Sequence, residues 1–516
     1  MSKDQSNQRQ ATSSAPCLGQ GTPIDRRGFV GCAGAAAASL AAAGPIVVCA
    51  QDAQVELPAI VTLGDAHKGT LEIDLRIMNQ YARQPQKVQD FYTACRAAMT
   101  GANPDTALVE VCQAYQYSKL GGPMLGDITS TNVAVWMHLP EPRRVHVSVT
   151  EKLDGASKIF KSTEAERFHS VRCEGLVPDT RYVYTASDST GQELGSGEFT
   201  TAPAALSDKP FQIAFGTCFH KVGLHRPELL RLVRERGNRA MLILGDSAVD
   251  DRRNDFGLIN ADYLLRNLSV PWQQLAANVP VFTAWDDHDY WDNDTSGARS
   301  NSKKPIDVDG LRRIWRTQWN NPDRGQDRNG IYFQTKIGPV QFIALDTRSC
   351  RVNERRGKRN CYLGEEQMGW LKQQISESKS PFVLISSGTM WSDYISDGKD
   401  SWGTWDTEGR EEIFQAIDAK IGSQVILLSG DRHGARGFAI PRPGGKKIYE
   451  FEIATLGGVP GPEPFGKDKS AQLFGLPSRS WAFSEFVFQI VKGVPQVTFH
   501  LVNQDGELLQ DMVLDS

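Results

Sequence analysis

A chain of 516 residues, 40% hydrophobic and 23% charged, has the make-up of an ordinary globular protein and room for two or three domains whose cores need no covalent staples. Its formal net charge of -4 provides no electrostatic basis for holding a polyanion, which excludes a nucleic-acid scaffold as partner. Its nine cysteines therefore call for a use other than stability.

Residues 1–24 are polar, and "DRRGFVGCAGAAAASLAAAGPIVVCAQ" then sets two arginines before an alanine-rich stretch. This resembles a twin-arginine export signal, with Arg26 and Arg27 as the pair and Phe29 as the hydrophobic residue after them. Gly31, Gly34, Gly44 and Pro45 interrupt the run, which argues against an anchoring helix, and Val48 and Ala50 fit the small-residue cleavage rule before Gln51. A lipoprotein site at Cys49 fits less well because Val48 precedes it. The resemblance implies residues 1–50 as a signal peptide, the twin-arginine translocase as a transient partner, a periplasmic or extracellular location and no stable membrane span in the mature protein. It also hints at a cofactor, since that route carries folded proteins, often with metal inserted. Cys17, Cys32 and Cys49 leave with the signal. An oxidising compartment allows disulfides, and Cys350 and Cys361 bracket the basic loop "RVNERRGKRN" that a bridge could hold; Cys95 and Cys112 are a second candidate pair.

Residues 51–120 are expected to be helical, because "LEIDLRIMNQYARQ" and "DTALVEVCQAYQYSKL" space their apolar residues at helical intervals around a break at "GANPD". From 121 to 203 the period changes to two, with "NVAVWMHL", "VHVSVT", "FHSVRCEGL" and "RYVYTAS" as short strands. "GLVPDTRYVY" is similar to the tyrosine-corner segment of fibronectin III and immunoglobulin-like sandwiches, so this region is expected to be a small β-sandwich, with "APAALSDKP" as a linker. Residues 208–516 then alternate strand and helix. The runs "FQIAFG", "AMLILG", "VPVFTAW", "VQFIAL", "PFVLISS" and "QVILLSG" lack alternation, as strands buried on both faces do, which predicts an α/β sheet or sandwich covered by helices.

Chemistry-bearing residues follow these runs. Cys218, Asp246, Asp287 with His288, Asp346 with Arg348, and Asp431 with His433 each lie just beyond a predicted strand, where α/β sheets gather their ligand sites. A single "GD" is usually a cap or turn; five at one rim are expected to form a site.

With "GTC" at 216–218, "LGDSAVDD" at 244–251, "WDDHDYWDND" at 285–294 and "LSGDRHG" at 428–434, the chain resembles the alkaline phosphatase D (PhoD-like) family of calcineurin-like metallophosphatases. The resemblance is strong over about residues 208–460. It implies a four-layer αββα catalytic sandwich and an exported phosphoric ester hydrolase acting on mono- or diesters by a two-metal mechanism with a bridging hydroxide. Cys218 would bind one metal, Asp246 would bridge two, Asp287 would serve the second, and Asp431 and His433 would divide between them. Donor softness assigns Fe or Zn to the site with Cys218, His433 and Asp246, and Ca, Mg or Mn to the carboxylate site of Asp246, Asp287 and Asp431. Val249 stands where the family carries a tyrosine, so Asp250 either supplies the missing oxygen donor or solvates a loop. The superfamily's fourth histidine is not evident, and His220 is expected beside the ligands. His288 is the expected general acid, with Asp289 fixing its tautomer, and Arg348 is either a phosphate clamp or a structural ion pair. Trp391, Trp402 and Trp405 are expected in a loop over or beside the site, to stack on a leaving group or to pack as a lid. The alternative function is a secreted binding or structural protein with a degenerate metal site.

Overall fold

The computed structural model describes residues 59–515 apart from 154, 156, 301, 323–328, 396–399 and 467–468; the twin-arginine segment and its cleavage region lie outside the described residues. Residues 56–516 form one compact unit. It begins with four helices, Leu63–Ala66, Leu71–Asn79, Gln86–Met99 and Pro104–Tyr115. Thr62 and Thr70 cap the first two through their hydroxyls, and Pro104 opens the fourth. A β-sandwich follows. One sheet has the order Gly121–Gly126, Asn132–Arg143, Glu166–Glu174, and the other Ser157–Lys161, Val145–Glu151, Arg181–Asp188, Glu193–Thr200. The backbone N–H of Val177 donates to the Tyr182 hydroxyl at 2.9 Å, the corner bond that the sequence leads one to expect.

Two further sheets carry the rest of the chain. A six-stranded sheet runs in the order Val281–Ala284, Met241–Leu244, Phe211–Gly216, Ala482–Val491, Val494–Asn503, Leu508–Leu514. A seven-stranded sheet runs Phe333–Ile337, Val340–Ala344, Phe382–Ser386, Gln424–Ser429, Lys447–Ala454, Gly434–Pro441, Gln472–Leu476. Their inner faces share one apolar cluster that includes Phe215, Leu242, Phe342, Leu384, Ile426, Phe451, Phe486 and Phe499 and extends into the sandwich through Val147, Tyr184 and Phe199. Helices cover both outer faces, completing the αββα layering. Strands buried on both sides explain the unalternated sequence runs.

The central strands of both sheets are parallel, so their C-terminal ends open on one rim. The expected bridge between Cys350 and Cys361 is not present: both thiols are free, Cys350 Sγ lying 3.3 Å from the Asn329 carbonyl and Cys361 Sγ donating to the Trp405 carbonyl at 3.0 Å. The loop they bracket is held by its own backbone bonds, including Val352 N to Cys361 O at 2.8 Å. Cys95 and Cys112 are also free thiols, buried in the helical segment. Among the described residues no helix is long and apolar enough to cross a membrane.

Candidate metal centre

Four strand ends bring the candidate residues together. Cys218 follows Phe211–Gly216, Asp246 follows Met241–Leu244, Asp287 and His288 follow Val281–Ala284, and Asp431 and His433 follow Gln424–Ser429. Sharp turns aim them: Cys218, His220, Asp246, Asp251, Asp431 and His433 all have positive φ, a conformation costly for side chains with a Cβ and characteristic of ligand clamps. At Gly245 a Cβ would lie 2.4 Å from the Cβ of Asp286, so the "GD" turn needs its glycine for close approach.

The first group consists of Cys218, His220, Asp246 and His433, whose donor atoms lie within 4.8 Å of one another. Cys218 Sγ is 3.6 Å from Asp246 Oδ2, and His220 Nε2 is 3.5 Å from His433 Nε2. Each imidazole is oriented from behind. His433 Nδ1 donates to the Pro460 carbonyl at 2.5 Å, and His220 Nδ1 donates to Asp250 Oδ1 at 2.8 Å. Both Nε2 atoms are thereby left for a shared ligand. His220, expected beside the ligands, stands among them. Asp250 stands behind His220, its other oxygen accepting from Lys221 N at 3.1 Å, and its carboxylate also falls with His67 and His220 in a group whose donor atoms lie within 4.8 Å of one another. Val249 is a core residue, 1% exposed.

The second group is acidic. Asp286, Asp287 and Asp431 place carboxylate oxygens within 4.8 Å of one another, as do Asp246 and Asp287 with a ring nitrogen of His288. Asp246 Oδ1, Asp286 Oδ2, Asp287 Oδ1 and Asp431 Oδ2 are buried without a hydrogen-bond partner among the described residues. Buried acceptors in that state are costly unless a cation satisfies them. Burial, reinforced by the Asp287 carboxylate, pushes Asp246 and Asp431 well above the usual carboxylate range, and burial pushes Asp286 up to about 6. Burial and the Asp246 charge likewise push the Cys218 thiol well up. Bound cations reverse this pattern and deprotonate such ligands. The donor set fits metal: thiolate and imidazole on one side, oxygens on the other. Asp286 was not singled out in the sequence; its signal is the doubled aspartate of "WDDH".

One expectation changes, and two that were open are narrowed. Asp289 does not hold His288: it caps the short helix Asp287–Tyr290 and accepts from Ser247 N at 3.0 Å. His288 Nδ1 donates instead to Asp251 Oδ1 at 2.7 Å. Arg348 is fully buried, its Nε bonded to Asp286 and its Nη1 to Asp400 at 2.5 Å, with Nη2 3.5 Å from Asp287 and 3.9 Å from Asp431. This is the ion-pair alternative: with two of its three nitrogens engaged and no exposed surface, the guanidinium is no phosphate clamp. Trp391, Trp402 and Trp405 belong to the core, with the first two stacked on each other at 4.9 Å and 6°, so they are not exposed to stack on a leaving group.

The strand-rim donor set is suited to holding metal, and comparison with known proteins bears on the fold that carries it. Residues 260–460 match the family model of PhoD-like phosphatase, a span that holds Asp287, His288, Asp431 and His433 and stops short of Cys218 and Asp246. The structure of PhoD aligns over 77% of this chain and 93% of its own, with 16% identity and a TM-score of 0.57. The purple acid phosphatase PPD1 from yellow lupin (Lupinus luteus) seeds aligns over 76% of this chain and 73% of its own, at 12% identity and the same TM-score. At these identities the likeness is one of fold. No curated protein matches the sequence significantly.

Proposed function

We propose that the chain is an exported, metal-dependent phosphoric ester hydrolase of the PhoD-like type. The observation that carries this reading is the convergence of four unpartnered buried carboxylate oxygens with a thiol and two imidazole nitrogens at one strand rim. Cys218, His220, His433 and Asp246 would hold iron or zinc, and Asp246, Asp286, Asp287 and Asp431 would hold calcium, magnesium or manganese. When bound, such cations lower the pKa of water and neutralise charge on a phosphoryl group. Arg348 sets the charge of the acidic group from behind, balancing Asp286 and Asp400. His288 is held by Asp251 through Nδ1, which leaves Nε2 as the nitrogen for a proton destined for the leaving group. Arg432, whose side chain is 16% exposed and whose Nη1 lies 3.8 Å from Asp431, is a second candidate guanidinium for phosphate oxygens. Export is supported by the Arg26–Arg27 motif.

A binding protein with a structural metal would have no use for an oriented, otherwise uncommitted imidazole beside its ligands, and His288 favours the enzyme. The test is hydrolysis of p-nitrophenyl phosphate and of bis-p-nitrophenyl phosphate by purified protein, before and after chelation. Chelator-sensitive turnover of either ester supports the reading and their ratio reports mono- or diesterase character; no turnover of either overturns it.

A further inference from the structure

The helical segment before the sandwich, read in the sequence only as helical, delivers a side chain to the centre. His67 ends the short helix Leu63–Ala66. Its Nδ1 lies 3.2 Å from Asp251 Oδ2, while the other oxygen of that carboxylate accepts from His288 Nδ1 at 2.7 Å. The two imidazoles stack, with centroids 4.7 Å and planes 27° apart. One carboxylate therefore joins an imidazole of the N-terminal segment to the imidazole that faces Asp246 and Asp287. A buried charge network secures this placement. Lys221 Nζ binds Asp74 at 2.8 Å and Asp262 at 3.0 Å, and Asp262 binds Arg252 Nε at 2.8 Å. The Arg252 guanidinium in turn donates to the carbonyls of Ala66 and His67 at 3.0 Å each. Asp74 lies in the second helix of the segment, whereas Lys221 follows His220 in the short helix His220–Gly223 and Arg252 follows Asp251 in chain order.

We propose that His67 is a positioning residue of the catalytic centre, fixing Asp251 and through it the ring of His288, so that the N-terminal helical segment is an integral part of the active site. The inference rests on the phosphoesterase reading for its kinetic consequence, but not for the contact between His67 and Asp251 itself. Asp251 sits at positive φ and is 17% exposed on its side chain, and with a single partner it would be free to turn towards water. A second imidazole nitrogen, 3.2 Å away on a ring stacked on the first, removes that freedom.

Two variants separate the roles of His67. His67→Phe keeps a stacked ring and removes both nitrogens; His67→Asn keeps an N–H near the place of Nδ1. In metal-free protein the Nδ1 proton of His288, assigned by its loss in His288→Ala, is read by NMR. It is expected to exchange with water at least tenfold faster in His67→Phe and close to the wild-type rate in His67→Asn. With metals restored, His67→Phe is expected to retain wild-type metal content, to lose about tenfold or more on an alkyl phosphate ester, whose leaving group needs a proton, and to lose little on the nitrophenyl ester. His67→Asn should recover most of the alkyl-ester rate. An unchanged His288 proton in His67→Phe overturns the proposal, as does loss of metal with equal falls on both esters, which would make His67 a ligand. If wild-type protein hydrolyses no ester, the phosphoesterase reading falls and the NMR comparison still decides the positioning role.

Discussion

Cys218, His288 and Asp250 occupy one rim and are expected to fail in three different ways. Cys218→Ser removes the thiolate donor; the softer metal should be lost on elemental analysis, and rates on good and poor leaving groups should fall together. His288→Ala should keep its metals and lose about 10² to 10⁴ in rate on alkyl esters with a much smaller loss on nitrophenyl esters. Asp250→Asn alters the orientation of His220 and not a donor, so metal affinity should weaken by about 10- to 100-fold without loss of the site; abolition of binding would make Asp250 a ligand after all. The candidate ligands Cys218, Asp246, Asp287, Asp431 and His433 were legible as one cluster because each follows an apolar run at a strand end. Asp250 was open to two roles because a carboxylate behind a histidine and a carboxylate on a metal look alike in sequence. His67 was not legible at all: 151 positions separate it from Cys218, and no local pattern marks a histidine at the end of a four-residue helix.

At the scale of elements, burial on both faces made the parallel strands readable, and period-two alternation did the same for the sandwich. What sequence could not show is which neighbours neutralise which charges. Arg348 is fully buried among carboxylates contributed by three separate loops, and nothing adjacent to it in sequence distinguishes that from a clamp. Lys221 is likewise 0% exposed between Asp74 and Asp262. Replacing it by Met leaves two buried carboxylates facing one another, and a loss of about 3–5 kcal/mol is expected in denaturant unfolding. A loss below about 1 kcal/mol would show that the helical segment is held by its apolar contacts alone.

For the whole molecule, stability should depend on pH through His225, which lies away from the metal ligands. It is 5% exposed, its Nε2 has no hydrogen-bond partner among the described residues, and burial pulls its pKa from 6.5 down to about 4. The unfolded chain gains a proton there below pH 6.5, whereas the folded chain resists until about pH 4. This contribution is therefore fully present above pH 6.5 and is lost as pH falls from 6.5 to 4, by up to about 3 kcal/mol. Denaturation of His225→Gln beside the parent should show a difference that is constant above pH 6.5 and changes through that window; a difference independent of pH would contradict the assignment. Export is tested separately. With Arg26 and Arg27 both replaced by Lys, the precursor should remain in the cytoplasm, and unchanged export would contradict the twin-arginine reading.

Cys218, His220, Asp246 and His433 are proposed to hold a metal ion. Cobalt(II) titration of metal-free protein tests this central claim most directly, because a cobalt–thiolate bond produces a charge-transfer absorption that oxygen and nitrogen donors do not. A thiolate band saturating at one equivalent in the parent protein and absent in Cys218→Ser is the expected result. A parent protein that binds cobalt without any thiolate band, or binds none, would contradict the claim and return the cysteine to the core.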